Sequence, residues 1–206
     1  MEKKETRDIL ISWIVLSVAF MLLLENINIY NLSSFGKVSV SLLAMYFFIV
    51  AVSFLSHELG HRQVARRYGF KANFEMWPMG VVLALVSSLF GFLVAAPGAV
   101  VIRPGGSAFM GGRKKLHEIG LKISISGILI NMILGVFFAI LLLFTTDLTI
   151  LKLLGTAANI NFWLAIFNLL PIPPLDGSKV FYYNKGIWAA VFAMAIILFT
   201  IFSYLF

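Results

Sequence analysis

The feature that most constrains this chain is a series of long apolar stretches without a charged residue. The hydrocarbon core of a bilayer is about 30 Å thick, and a helix of roughly 20 apolar residues crosses it. Six stretches meet this description: Ile9–Leu24, Val38–Ser56, Met76–Ile102, Ile123–Thr146, Leu153–Leu175 and Gly186–Phe206. The predicted fold class is therefore an all-α polytopic membrane protein with about six membrane-embedded segments.

The composition excludes several other classes of protein. Of the 206 residues, 61% are hydrophobic and 12% are charged, whereas about a quarter of the residues of a soluble domain are charged. A soluble regulator, a secreted disulfide scaffold and a disordered tail are excluded together. The chain has no cysteine, which removes thiolate metal ligands, cysteine nucleophiles and disulfides.

The basic residues predict an orientation in the cell membrane, because lysine and arginine concentrate in cytoplasmic loops. If the N-terminus is cytoplasmic and the third stretch enters and leaves on one side, fourteen of the sixteen basic residues lie inside and only Lys37 and Lys152 outside. Trp77-Pro78, Gly91 and Ala96-Pro97-Gly98 would interrupt a helix there. We therefore predict a broken, re-entrant third segment. The net charge of +7 follows from this topology and from lipid headgroups, so no nucleic-acid partner is predicted.

A motif with recognisable chemistry begins at the inner end of the second stretch. His57-Glu58-Leu59-Gly60-His61 places two imidazoles four residues apart, on one face of a helix, with a glutamate beside the first. This arrangement presents two zinc ligands and a general base together. The alternative is a juxtamembrane helix with two solvated histidines, although ionisable groups at membrane depth indicate function by default.

A catalytic zinc takes three protein ligands and leaves one position for water. The other acidic residues precede the first helix, fall on the outer side or lie in basic loops, whereas Asp176 follows Pro171-Ile172-Pro173-Pro174-Leu175 at the inner end of the fifth stretch. On its own, Asp176-Gly177 is a common turn that ends a helix. Together with His57 and His61 on the same side of the membrane, Asp176 becomes the predicted third ligand.

These motifs resemble those of the site-2 proteases, the M50 family of intramembrane zinc metalloproteases. The resemblance rests on His57–His61 with its continuation to Gly69, and on Asn168–Gly177, which is similar to the family's N-x-x-P-x-P-x-L-D-G segment. It covers roughly residues 38–177. It implies that one zinc per chain is bound by His57, His61 and Asp176, that Glu58 is the base and that Asn168 assists near the scissile carbonyl. Pro174 and Ser178 depart from the family pattern.

The length and composition predict a single domain over residues 1–206, because nothing in the composition marks a second one, and with the resemblance this is a transmembrane protease domain. Its core would be residues 38–177, with peripheral helices at 9–30 and 186–206. A weaker family pattern, G-x-x-x-N, matches Gly127 and Asn131. We predict Asn131 as a substrate-binding residue, with helix-to-helix packing as the alternative.

The implied activity is hydrolysis of a peptide bond in or near the transmembrane segment of a membrane-protein substrate, as in regulated intramembrane proteolysis. A helix hides its peptide bonds, so the substrate must be held in an extended form. Ala99, Val100, Val101 and Ile102 have strand-like composition and are the predicted edge strand that binds it, near the active site. An ordinary buried loop arm is the equal alternative.

Two other functions remain open from the sequence. A transporter or channel with a structural metal site would share the interrupted helices and the polar cavity. Another class of H-E-x-x-H membrane metalloprotease would share the first motif and take its third ligand elsewhere. The sequence does not identify the physiological substrate or the oligomeric state.

Overall fold

The structure, a computed structural model, describes residues 3–103 and 112–206. These residues form eight α-helices and a two-stranded sheet. In chain order the elements are α1 (Lys3–Leu24), α2 (Val40–Val50), α3 (Ser56–Arg67), β1 (Lys71–Met76), α4 (Pro78–Leu89), β2 (Gly98–Arg103), α5 (Gly112–Leu142), α6 (Leu148–Asn168), α7 (Asp176–Tyr183) and α8 (Lys185–Leu205). A mostly helical fold with a short β element confirms the predicted class.

Within the described residues, five helices are long and apolar enough to cross a membrane: Lys3–Leu24, Val40–Arg67, Lys115–Leu142, Leu148–Asn168 and Lys185–Leu205. They correspond to five of the six predicted segments. The predicted number of about six is not confirmed, because the third segment contains only the 12-residue α4. At 1.5 Å per residue, α4 is about 18 Å long, too short to cross a hydrocarbon core.

The third segment folds back on itself, so that the residues just after β1 lie beside the residues just before β2. Pro78 begins α4, and Gly91 adopts a φ of 84° just after the helix, a conformation that favours glycine. The backbone N–H of Trp77 donates to the carbonyl of Pro97 at 2.8 Å, which makes β1 and β2 antiparallel neighbours. The predicted edge strand, Ala99–Ile102, lies within β2.

The span Val40–Arg67 is not a uniform helix. Between α2 and α3, residues Ala51–Leu55 form a π-helical turn. Such turns contain one extra residue and occur often at functional sites. The turn ends one residue before α3, whose second residue is His57.

The chain forms two compact units. The first comprises Met1–Phe54 and Phe74–Ala99, and in it α1 packs against α2 and α4. The indole N–H of Trp13 donates to the carbonyl of Phe47 at 2.9 Å and links α1 to α2. The single domain predicted over residues 1–206 stays a prediction.

Two buried carboxylates of α1 bind the backbone of β1 within this first unit. The N–H of Phe74 donates to Oε1 of Glu5 at 3.1 Å, and the N–H of Met76 donates to Oδ2 of Asp8 at 3.3 Å. Both carboxylates are less than 5% exposed. Because residues 74 and 76 point the same way along a strand, α1 occupies one edge of β1.

The second unit comprises Leu55–Asn73 and Val100–Phe206. In it α5 packs against α3, α6 and α7, and α8 packs against α6 and α7. Its core contains Ile128 and Met132 of α5, Leu169, and Val180 of α7. A Cβ at Gly60 would meet the end of the Ile130 side chain and lie 3.4 Å from the carbonyl of Ser126, so α3 and α5 approach each other closely there.

Candidate metal centre

The two histidines lie one turn apart on α3 and face α5. The Nε2 atoms of His57 and His61 are 3.0 Å apart, and both side chains are about 95% buried. The spacing of four residues accounts for this arrangement, because it returns to the same face of a helix. The packing of α3 on α5 removes both rings from solvent.

Asp176 joins the pair from a distant part of the chain. Its Oδ2 atom lies 2.8 Å from Nε2 of His61 and 3.3 Å from Nε2 of His57. The proline-containing segment after Asn168 is not helical, and α7 begins at Asp176. A side chain at Gly177 would collide with the backbone of Leu169, so glycine lets the start of α7 lie against the end of α6.

The donor set and its dimensions fit a zinc ion. Two imidazoles and a carboxylate are ordinary zinc ligands at about 2.0–2.2 Å, and tetrahedral ligands at that distance are about 3.3 Å apart. The three donor atoms here are separated by 2.8, 3.0 and 3.3 Å. A side chain at Gly127 of α5 would occupy the space beside both Nε2 atoms, so the helix leaves room for an ion at this point.

The other nitrogen of each imidazole is held by α5. Nδ1 of His61 donates to the backbone carbonyl of Ile123 at 2.7 Å. Nδ1 of His57 lies 2.6 Å from Oδ1 of Asn131. With the proton on Nδ1, the lone pair of Nε2 is free for a metal, as the partners of metal-binding histidines commonly ensure.

The second carboxylate oxygen of Asp176 has its own partner. Nζ of Lys179, one turn along α7, donates to Oδ1 at 2.8 Å. Burial raises the pKa of the Asp176 carboxyl, whereas the adjacent Lys179 ammonium lowers it. The Lys179 ammonium therefore favours the ionised form of Asp176, whose Oδ2 faces the two histidines.

Glu58 follows His57 on α3. Its Oε2 atom is buried and has no hydrogen-bond partner among the described residues. The charged or titratable groups that act on it electrostatically are His57, Asp176 and Lys179. A buried carboxylate oxygen without a donor is costly, and a water molecule at the metal centre would supply that donor.

The remaining predicted residues are placed as follows. Asn168 is the last residue of α6, and its Nδ2 donates to the carbonyl of Leu164 in the same helix at 3.0 Å. No hydrogen bond joins it to the histidines or to Asp176 in the described part of the chain. Asn131 contacts His57 instead of facing an open groove.

In the second unit, the later residues of the predicted edge strand lie beside the helices that carry the ligands. Val100 and Ile102 pack against a cluster that includes Ala65 of α3 and Ile123 of α5. Ile123 also supplies the carbonyl that holds His61. This part of β2 is therefore close to the metal centre.

Two residues of the site were missed by the sequence analysis, Lys179 and Asn161. Asn161 lies in α6 and accepts a hydrogen bond from Asn131. Its signal was present, because a fully buried asparagine inside a membrane span is a candidate functional residue. The signal of Lys179 was its position three residues after the predicted ligand Asp176.

Two histidines and a buried glutamate on a helix long and apolar enough to cross a membrane, joined by an aspartate at the start of α7, define the class of a membrane-embedded zinc metalloprotease. Comparison with known proteins agrees with this class. The sequence profile of "Peptidase family M50" matches residues 145–201, which include Asn168 and Asp176.

Three relatives show the extent of the similarity. "Putative zinc metalloprotease MJ0611" of Methanocaldococcus jannaschii is 37% identical over 191 residues, or 92% of this chain and 89% of that protein. "Zinc metalloprotease MJ0392" of the same organism is 28% identical over 79% of this chain and 39% of its own length. "Putative zinc metalloprotease YwhC" of Bacillus subtilis is 30% identical over 68% of this chain and 69% of that protein.

The chain therefore belongs to peptidase family M50. No solved structure matches it significantly.

Proposed function

We propose that this protein is an intramembrane zinc endopeptidase that hydrolyses a peptide bond in or near the transmembrane segment of a membrane-protein substrate. The observation that carries the proposal is the convergence of His57, His61 and Asp176. The aspartate is 115 residues after the second histidine in sequence, and its Oδ2 nevertheless lies within 3.3 Å of both imidazoles. We assign one zinc ion to these three ligands.

Zinc, when bound, supplies the Lewis acidity that activates water towards a peptide carbonyl. The rest of the mechanism uses residues of this chain. Glu58 presents a buried, unpaired Oε2 beside the ligands and is placed to take the proton of the attacking water. The same carboxyl group would then pass that proton to the leaving amine. Lys179 keeps Oδ1 of Asp176 occupied, so Oδ2 remains for the metal.

Asn168 is assigned to the scissile carbonyl. It is the last residue of α6, and seven residues, which include the proline segment, separate it from the start of α7. Its Nδ2 bonds Leu164 in the resting structure, and one amide hydrogen remains for a developing oxyanion. Hydrogen-bond donors aimed at such a charge lower the barrier substantially.

The substrate is assigned to β2, residues Ala99–Ile102, by strand addition. The amides of Phe74 and Met76 on β1 are already bound by Glu5 and Asp8, which leaves β2 as the strand of the sheet for an incoming peptide. Val100 and Ile102 pack beside the helices that carry the histidines, which favours this choice.

The first test compares three variants of the purified protein on a transmembrane peptide with a helix-destabilised segment. Glu58→Gln is expected to bind zinc as the parent does and to cleave at least about 100-fold more slowly, because it cannot accept a proton. Asp176→Ala is expected to lose both zinc and cleavage. Glu118→Gln removes an exposed carboxylate of α5 and should behave as the parent.

Either of two results would reject the proposal. Unchanged cleavage by Glu58→Gln would remove the assigned base. Full zinc content in Asp176→Ala would remove the ligand set and would favour another class of H-E-x-x-H protease.

We also propose that the N-terminus and the active-site end face the cytoplasm, on the basis of the lysine and arginine distribution. The absence of cysteine makes site-specific labelling direct. In intact cells, Lys152→Cys should react with a membrane-impermeant maleimide, and Lys115→Cys should react only after permeabilisation. Both lysines are exposed, so the opposite labelling pattern would reject this orientation.

A further inference from the structure

A chain of buried side-chain amides extends from His57, a proposed metal ligand on α3, through α5 to α6. Oδ1 of Asn131 faces Nδ1 of His57 at 2.6 Å, Nδ2 of Asn131 donates to Oδ1 of Asn161 at 2.9 Å, and Nδ2 of Asn161 donates to the carbonyl of Ala157 at 2.8 Å. Asn131 and Asn161 have no exposed surface. The chain links α3, α5 and α6.

The direction of this chain is fixed at its far end. A backbone carbonyl can only accept, so Asn161 must turn its NH₂ group to Ala157 and its oxygen to Asn131. Asn131 must then direct its NH₂ group to Asn161 and its oxygen to His57. Of the two neutral tautomers of His57, only the Nδ1–H form can donate to that oxygen, and it leaves Nε2 without a proton.

The opposite orientation would block metal binding at His57. If the amide of Asn131 were reversed, its NH₂ group would meet Nδ1 of His57, and the ring would carry its proton on Nε2. His61 needs no such chain, because Nδ1 donates directly to the carbonyl of Ile123 at 2.7 Å. A backbone carbonyl thus fixes the tautomer of each histidine. It acts directly on His61 and through two side-chain amides on His57.

We propose that Asn161, through Asn131, is a positioning residue that holds His57 in the tautomer that binds the metal. Asn161 touches neither the ligand atoms nor a substrate and acts only through Asn131. The inference rests on the proposed function for its metal. The position inside a membrane span strengthens it, because a buried amide there has no water with which to exchange partners.

The experiment uses the full-length purified protein and measures zinc affinity by competition with a chelator. Asn161→Ser should lower the affinity about 10- to 100-fold, the usual effect of losing an outer partner of a metal ligand. Serine can bond the carbonyl four residues earlier, as Ser17 does to Trp13 at 2.7 Å, and it is too short to reach Asn131. Asn161→Asp, as the neutral acid expected at a fully buried position, keeps one oxygen that accepts from Asn131 and gains an O–H that donates to the carbonyl of Ala157. It should stay close to the parent.

A double variant tests whether Asn161 acts through Asn131. Asn131→Ala combined with Asn161→Ser should bind zinc as weakly as Asn131→Ala alone, because the second change then removes nothing further. Ser17→Ala removes an equally buried polar group in α1 and should leave zinc affinity unchanged.

A second readout does not depend on zinc. In metal-free protein labelled with ¹⁵N-histidine, the parent should show the Nδ1–H form for His57, and Asn161→Ser should show a loss of that form. A purely structural role of Asn161 would lower the melting temperature without changing the tautomer. The inference is overturned if Asn161→Ser retains the parent's zinc affinity and tautomer, or if the two substitutions are additive.

The two proposals fail in different ways. If the parent protein binds no zinc, the proposed function fails. If the parent binds zinc in a manner that needs His57 and Asp176, and Asn161→Ser binds it equally well, only the present inference fails.

Discussion

Gly127 lies beside the two histidines, and the absence of a side chain at this position leaves space next to their Nε2 atoms. It lies on α5 opposite the imidazole pair, and an added Cβ would contact Nε2 of both His57 and His61. These nitrogens are the atoms on which metal binding depends. The requirement at this position is therefore for space at the ligand atoms, and helix propensity is secondary.

We expect Gly127→Ala to lower zinc affinity by at least about 10-fold, because overpacking of this kind costs about 1–3 kcal/mol and here displaces the ligands themselves. The measurement is chelator competition on the purified variant. Gly155→Ala is the matched control, since nothing lies within 4 Å of a Cβ at that position of α6. It should retain parental affinity, and equal losses in both variants would contradict the explanation.

At the scale of residues, the sequence predicted the proposed metal ligands and the proposed base. His57, Glu58 and His61 follow from helical spacing, and Asp176 follows from elimination among the acids. Asn161 and Lys179 could not be assigned in this way, because their roles depend on tertiary neighbours. Asn161 matters through Asn131, which is 30 residues away. Asn131 itself was predicted to bind substrate, and it lies against His57 with no exposed surface.

At the scale of elements, the position of the third ligand depends on how α7 meets α6. The indole N–H of Trp188 in α8 donates to the carbonyl of Leu169 just after α6 at 2.7 Å. Gly177 places the first turn of α7 against the backbone of Leu169 and Leu170. Asp176 is therefore located by packing between helix ends and not by the proline segment alone.

Gly177→Ala should move α7 away from the end of α6, because the atoms in its way belong to the backbone and cannot rotate aside. We expect a loss of zinc affinity of about 10-fold or more and a lower melting temperature. Gly186→Ala at the start of α8, where the nearest atom is 3.4 Å away at Asn184, should change neither. Parental zinc binding by Gly177→Ala would show that α7 is not fixed in this way.

In the third segment, the length of the apolar stretch does not predict the length of the helix. Its 27 residues contain no charge, which indicated a membrane-embedded segment but did not reveal how few of them are helical. Pro78, Gly91 and Pro97 correctly predicted the interruptions and the return. The lengths of α4 and of the two strands depend on pairing between residues about 20 to 30 apart in the sequence, which composition does not determine.

At the scale of the whole molecule, all three proposed ligands belong to one of the two compact units, Leu55–Asn73 with Val100–Phe206. Removal of zinc should therefore act unevenly along the chain. A ligand that binds only the folded state contributes about 4 kcal/mol when it is 1,000-fold above its Kd. That contribution should be lost first from the helices that hold the ligands.

We expect a chelator to raise deuterium uptake in α3, the middle of α5 and α7, and to leave α1 and α2 nearly unchanged. Hydrogen exchange with mass spectrometry measures this directly. Asp176→Ala is the control, because a protein that cannot bind zinc should show the raised uptake before chelation and no further change after it. A uniform response along the described residues would contradict a local metal centre.

The two carboxylates that α1 places against β1 also bear on how the protein behaves at high concentration. A strand with unused backbone donors is a template on which another molecule can pair, and natural proteins protect such strands with charge. Glu5 and Asp8 engage the amides of Phe74 and Met76, so lateral growth of an intermolecular sheet from β1 is obstructed from within the chain. The N-terminal helix thus covers the β1 edge of the sheet, and β2 is the strand on which another chain can pair.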